Sequence, residues 1–227
     1  MKQITDIFFD LDHTLWDFEK NSALAFESVF KKHQIRVDLN EFLLYYIPLN
    51  KKYWELYRQE KVTQIELRHG RLKDAFDLLK YEIDSTLIQT LSEEYIFFLP
   101  QFNHLFEGTI EVLEYLQPKY KLHIITNGFQ EVQDGKMKNS GITRYFQTVT
   151  NSEMAGVKKP NPKIFEYALN AANASKESSI MIGDCIDADV NGALEFGIDA
   201  IHFNESKIEI PSHIKQVNSL IELKKYL

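Results

Sequence analysis

Apolar residues run along this chain in two rhythms. Residues Ile4 to Phe9 form a short β-rich run, and from Asn21 the spacing changes. Ala23, Phe26, Val29 and Phe30 fall at i, i+3, i+6 and i+7, one face of a helix. Helical spacing continues over Leu39 to Glu60, Thr63 to Lys80 and Ser85 to Leu99, and Thr63 with Glu66 three positions later reads as a capping box. No convincing strand interrupts this block. The pattern predicts an inserted all-helical domain over residues 20–101.

After Asn103 strands and helices alternate. Thr109 to Leu116 reads as a helix, Lys121 to Thr126 as a strand, and Glu131 to Ser140 as a helix closed by Gly141. Phe146 to Thr150 follows as a strand. Asn161-Pro162, a cap followed by a first-turn proline, opens a helix through Ala172. Ser179 to Ile182 and Ala200 to Phe203 read as strands, Ala188 to Phe196 and Ser219 to Tyr226 as helices. Such alternation predicts an α/β fold, a doubly wound, mostly parallel sheet with helices on both faces, built from residues 1–19 and 102–227.

In open sheets of this kind ligands bind beyond the carboxyl ends of the strands. Polar groups collect there. The first strand runs into Asp10-Leu11-Asp12, whose carboxylates leave the same face and repel unless a cation or a shared proton relieves them. The next strand ends in Thr126-Asn127-Gly128, the loop after Phe146 to Thr150 leads to Lys158-Lys159-Pro160, and the strand Ile180 to Ile182 ends in Gly183-Asp184, with Asp187 and Asp189 beyond. Singly these are ordinary features: Asp and Asn serve turns, and acids suit a helix N-terminus. As an ordered set they point to phosphate chemistry.

Composition narrows the partners. The 227 residues carry a formal net charge of −7, which disfavours a nucleic-acid polymer and leaves room for a small anion beside local positive charge. A single cysteine, Cys185, excludes an internal disulfide and fits a reducing compartment. Lys2 precedes an apolar run that Asp10 cuts short of a signal-peptide core, and the stretches Phe42 to Leu49 and Tyr95 to Leu99 are far too short to span a bilayer. A soluble, cytoplasmic protein is expected, with no membrane partner; nothing in the pattern bears on oligomeric state.

Asp10/Asp12, Thr126-Asn127, Lys159-Pro160 and Gly183-Asp184 with Asp189 resemble, in that order, the four motifs of the haloacid dehalogenase superfamily, over nearly the whole chain. The resemblance implies a Rossmann-like core with a helical cap and a Mg²⁺-dependent hydrolase. It makes Asp10 the nucleophile, forming an aspartyl-phosphate, and a metal ligand. Asp12 would give a backbone carbonyl to the metal while its side chain protonates the leaving oxygen and later activates water. Asp184 would be a further ligand. Asp189 would hold a metal-bound water or the lysine, with Asp187 as a substitute. Lys159, aimed by Pro160, would neutralise nucleophile and phosphate, with Lys158 pointing elsewhere. The Thr126 hydroxyl and the backbone amides of Asn127 and Gly128 would bind the phosphate.

The run Thr126-Asn127-Gly128-Phe129-Gln130-Glu131-Val132-Gln133 with Lys138-Asn139-Ser140-Gly141 is similar to the noncanonical pyrimidine 5′-nucleotidase subgroup, which implies a nucleoside monophosphate as substrate. Trp16 and Phe18 would then be placed to stack on its base. Other residues read plainly: His13 as a turn residue, Cys185 as a small buried one, and Tyr45, Tyr46, Tyr53, Trp54 and Tyr57 as an aromatic core. Asp12 argues against a dehalogenase, which attacks carbon without this second acid. A sugar-phosphate phosphatase and a phosphomutase, which would keep every motif, stay open. A phosphoaccepting signalling module fits less well, since it has no use for Asp12 or a cap.

Overall fold

The computed structural model describes residues 3–227; Met1 and Lys2, the latter weighed above as a leader residue, lie outside the described residues. The chain divides into two compact units. One is the chain up to Phe18 together with Asn103–Leu227, the other Glu19–Phe102.

The second unit is built from helices α1 (Phe18–His33), α2 (Leu39–Arg58), α3 (Gln64–Leu78) and α4 (Ser85–Phe98). Their starts are written in the sequence. Asp38 and Asp84 accept the backbone N–H groups of Glu41 and Leu87, each at 2.9 Å. Thr63 and Glu66 cap reciprocally: the Thr63 N–H donates to Glu66 Oε2 at 2.7 Å and the Glu66 N–H to Thr63 Oγ1 at 3.2 Å. Phe26 sits at the middle of the core, stacked 4.2 Å from Tyr95 and edge-on to Phe42 and Tyr46. The buried Arg71 guanidinium donates to Asn50 Oδ1 at 2.6 Å and lies over the rings of Tyr46 and Tyr95. Of the expected aromatic core on α2, only Tyr46 is fully buried. Tyr45 is 36% exposed, Tyr53 donates to Asp74, and Trp54 and Tyr57 are half-buried. Neighbours on a helix are turned ~100° apart, so one stripe cannot bury Tyr45 and Tyr46 alike.

The first unit is a six-stranded, wholly parallel sheet of β1 (Asp6–Phe9), β2 (Lys121–Thr126), β3 (Phe146–Asn151), β4 (Ser179–Gly183), β5 (Asp199–Phe203) and β6 (Gln216–Val217). The spatial order is β3-β2-β1-β4-β5-β6. Between the strands run α5 (Thr109–Leu116), α6 (Gln130–Asn139), α7 (Ser152–Ala155), α8 (Pro162–Ala172) and α9 (Gly192–Phe196). β1 is central, and Ile7, Phe8 and Phe9 are fully buried, as a parallel strand covered on both faces demands. It neighbours β2 and β4, with Phe9 opposite Ile124 and Ile182. The chain reverses direction of winding here, and the register brings Asp10, Thr126 and Asp184 to one carboxyl edge.

Three stretches depart from the sequence pattern. The helix expected over Ala188 to Phe196 begins earlier, as a π-helical turn at Ile186–Asn191 that tightens into α9. The final helix is a 3₁₀ turn, Leu220–Lys225. β6 and α7 are too short to leave a periodic signal.

Candidate active site

Asp10, the residue after β1, is held by its own N–H, which donates to Ile182 O at 2.9 Å. Its carboxylate accepts from Lys159 Nζ at 2.7 Å, and the same ammonium donates to Ile125 O at 2.7 Å and lies 2.6 Å from Asp189 Oδ1. Lys159 is 1% exposed. A buried ammonium persists only when paired, and two carboxylates pair it. Burial pushes the Lys159 pKa down, but the charges of Asp10 and Asp189 outweigh it and hold the group above its usual range.

The acids feel the opposite balance. Burial raises Asp10 well above the ordinary carboxylate range; Lys159 works against this, while Asp189 and Asp184 add to it. Burial, then the Asp189 charge, push Asp184 up to about 7. Oxygens of Asp10, Asp184 and Asp189 lie within 4.8 Å of one another. Three crowded carboxylates form a hard-oxygen donor set suited to a divalent cation. Asp184 is steadied by Thr14 Oγ1, 3.3 Å from its Oδ1, and its backbone carbonyl contacts His202 Nε2 at 2.8 Å.

The π-helical turn explains the position of Asp189. Its N–H and that of Val190 both reach Cys185 O, while the Cys185 N–H donates to Asp189 Oδ2 at 3.0 Å. The widened turn so folds Asp189 back toward Lys159, whereas Asp187 is exposed and out of reach. Lys159 is aimed by a side chain to which the sequence reading gave no role. Asn127 accepts the Lys159 N–H at 2.7 Å and donates to Lys159 O at 3.0 Å, clamping the lysine backbone ahead of a cis Pro160 bond. Of the neighbouring lysines, Lys158 is half-buried and Lys159 enters the site.

Asp12 stands apart from the three acids. Its Oδ1 accepts from Lys136 Nζ at 2.6 Å and its Oδ2 from Gln133 Nε2 at 3.0 Å. Gln133 Nε2 also donates to Thr126 Oγ1 at 2.8 Å. The Gly128 amide, expected to face a phosphate, donates instead to Thr126 Oγ1 at 3.1 Å. Trp16 offers no open face for a base. Its ring is fully buried, with Lys136 Nζ 4.4 Å from its centroid and the Phe18 ring 6.2 Å away. His13 takes a left-handed φ of 62°, its N–H donating to Trp16 O, which makes it the expected turn residue.

The family profile of haloacid dehalogenase-like hydrolases matches residues 7–203. The chain belongs to this family. Among its relatives, a pyrimidine 5′-nucleotidase of Streptococcus pneumoniae is 33% identical over 89% of this chain and 85% of its own length. A pyrimidine 5′-nucleotidase of Escherichia coli is 31% identical over 97% and 96%. The Bacillus subtilis hydrolase YfnB, solved bound to magnesium, superposes with a TM-score of 0.90 at 29% identity, covering 100% of this chain and 99% of that one.

In this hydrolase Asp10, Lys159, Asp184 and Asp189 come together, while Gln133, part of the matching run but given no role, and Lys136, Thr14 and His202 were not singled out in the sequence. A signal for Gln133 and Lys136 exists. Val132, Gln133, Lys136 and Met137 form the buried stripe of α6, and two of the four are polar where a core face calls for apolar residues.

Proposed function

We propose that the chain is a phosphomonoester hydrolase that works through an aspartyl-phosphate on Asp10 and acts on pyrimidine nucleoside 5′-monophosphates. The observation that carries the chemistry is Asp10 set against Lys159, with Asp184 and Asp189 within the same few ångströms. An anionic nucleophile meets an anionic phosphoryl group only where positive charge offsets their repulsion. Lys159 supplies one such charge. Mg²⁺ is the cation that the hard-oxygen acids Asp10 and Asp184, with the Asp12 carbonyl, would hold, and when bound it screens the phosphoryl oxygens as a Lewis acid. Asp189 secures Lys159.

In the first step an Asp10 oxygen attacks phosphorus, the bond to the leaving oxygen breaks, and Asp12 gives that oxygen a proton. In the second, water attacks the phosphorus of the acyl phosphate, Asp12 takes the water's proton, and inorganic phosphate departs, restoring Asp10. Thr126, whose oxygen accepts from Gln133 and Gly128, turns its hydroxyl proton toward a phosphate oxygen. The 31–33% identity to two pyrimidine 5′-nucleotidases over most of the chain supports the substrate.

Phosphate release from dUMP, dTMP, UMP and a set of sugar phosphates, with and without Mg²⁺, is the test. The pyrimidine nucleotides should be cleaved fastest and only with the metal. Asp10→Asn should lower turnover by on the order of 10³-fold or more without changing the thermal midpoint much. Faster release from sugar phosphates, or isomerisation of glucose 1-phosphate, rejects the substrate; an active Asp10→Asn rejects the nucleophile.

A further inference from the structure

We propose that Lys136 and Gln133 of α6 are positioning residues that fix the Asp12 carboxylate for proton exchange with the leaving oxygen. This rests on the reading of Asp12 as the proton carrier. Both side chains are nearly fully buried, Lys136 at 2% and Gln133 at 1% exposure. One helical turn apart on one face, they take the two oxygens of Asp12 separately, at 2.6 and 3.0 Å, so the carboxylate cannot rotate without breaking a contact. Lys136 is seated in turn, its ammonium over the rings of Trp16 at 4.4 Å and Phe18 at 5.3 Å. Trp16, expected to meet substrate, is thereby given another task.

Gln133 ties the same carboxylate to the phosphate loop through Thr126 Oγ1. Room for it comes from Gly128: a Cβ there would lie 1.8 Å from Gln133 Nε2. Gln133 Oε1 is buried and has no hydrogen-bond partner among the described residues.

A purely structural ion pair would use the same atoms, so the test must read proton transfer. An aryl ester such as p-nitrophenyl phosphate leaves without protonation; a nucleoside 5′-alkoxide does not. We therefore compare kcat/KM, which reports the first phosphoryl transfer, across p-nitrophenyl phosphate, phenyl phosphate and UMP for the wild type and Lys136→Met, whose unbranched stem still covers Trp16. The expected result is a loss of about 10- to 100-fold on UMP, within the range a general acid contributes, and about threefold or less on the p-nitrophenyl ester. In an Asp12→Asn background Lys136→Met should add no further loss. Equal losses across the series, or additive losses in the double variant, overturn the proposal. Should Lys136→Met fail to fold, Lys136→Gln, which keeps a donor, should show the same leaving-group dependence in milder form, and a uniform loss there overturns it equally. A wild type that releases phosphate from none of the esters fails at the earlier step, the phosphatase reading itself.

Discussion

A Cβ built at Gly183 would sit 2.3 Å from Asp189 Oδ2, so the last residue of β4 leaves space for the carboxylate that pairs with Lys159. Gly183→Ala should therefore push Asp189 aside, at a cost of about 1–3 kcal/mol for overpacking a filled interior. Phosphate release should fall with it, because Lys159 loses one of two balancing acids. A thermal melt and a turnover assay read the two effects separately, and an alanine variant indistinguishable from wild type in both removes the argument. The same site shows what single residues disclose. Asp10 and Asp184 stand out in sequence because a charged group at the end of an apolar strand needs a reason, and Lys159 because it directly precedes a proline in the loop beyond β3. Asn127 stood out for its backbone amide alone; that its side chain clamps the Lys159 backbone was not legible, since only the fold says which backbone lies within its reach.

At the scale of elements, legibility follows the local hydrogen bonds. Thr63 and Glu66 satisfy each other's backbone within one turn, so the start of α3 could be read from four residues. Thr63→Ala should cost about 1 kcal/mol of stability, measured by urea unfolding, and leave phosphate release unchanged; a neutral substitution would mean that packing of Leu67, Leu72 and Phe76 alone sets the helix start. The π-helical turn at Ile186–Asn191 had no such local signature. It is shaped by Asp189 reaching back to the Cys185 N–H and across to Lys159, 30 positions earlier in the chain, a contact that no window of sequence contains. β6 lay hidden for another reason, two residues being too few to alternate.

Across the whole molecule, the parallel order β3-β2-β1-β4-β5-β6 buries polar groups at both ends of the central strands, and those at the amino end make stability depend on pH. His123 on β2 is fully enclosed, with Nε2 3.1 Å from Asp6 Oδ1, Nδ1 2.8 Å from Thr148 Oγ1, and its ring stacked on Phe8. Burial lowers its pKa, Lys121 adds to this, and Asp6 opposes both without reversing the direction. The sign follows. Below about pH 6.5 the unfolded chain takes up a proton that the folded His123 refuses, so stability falls as the solution is acidified, by up to about 1.4 kcal/mol per pH unit until the folded pKa is reached. Above pH 6.5 His123 contributes no slope. Asp184, held near 7, works in the other direction between the ordinary carboxylate pKa and its own, because the folded state then binds the extra proton. The total slope therefore mixes both, and the informative quantity is a difference. His123→Gln keeps a hydrogen-bonding side chain and cannot titrate. Urea unfolding of both proteins at steps from pH 8 to pH 5 should give parallel curves above pH 6.5, whatever the offset between them, and a wild-type curve that drops more steeply below it. Curves that stay parallel down to pH 5 would mean that His123 takes up its proton in the folded state as readily as in the unfolded one, with Asp6 fully offsetting burial.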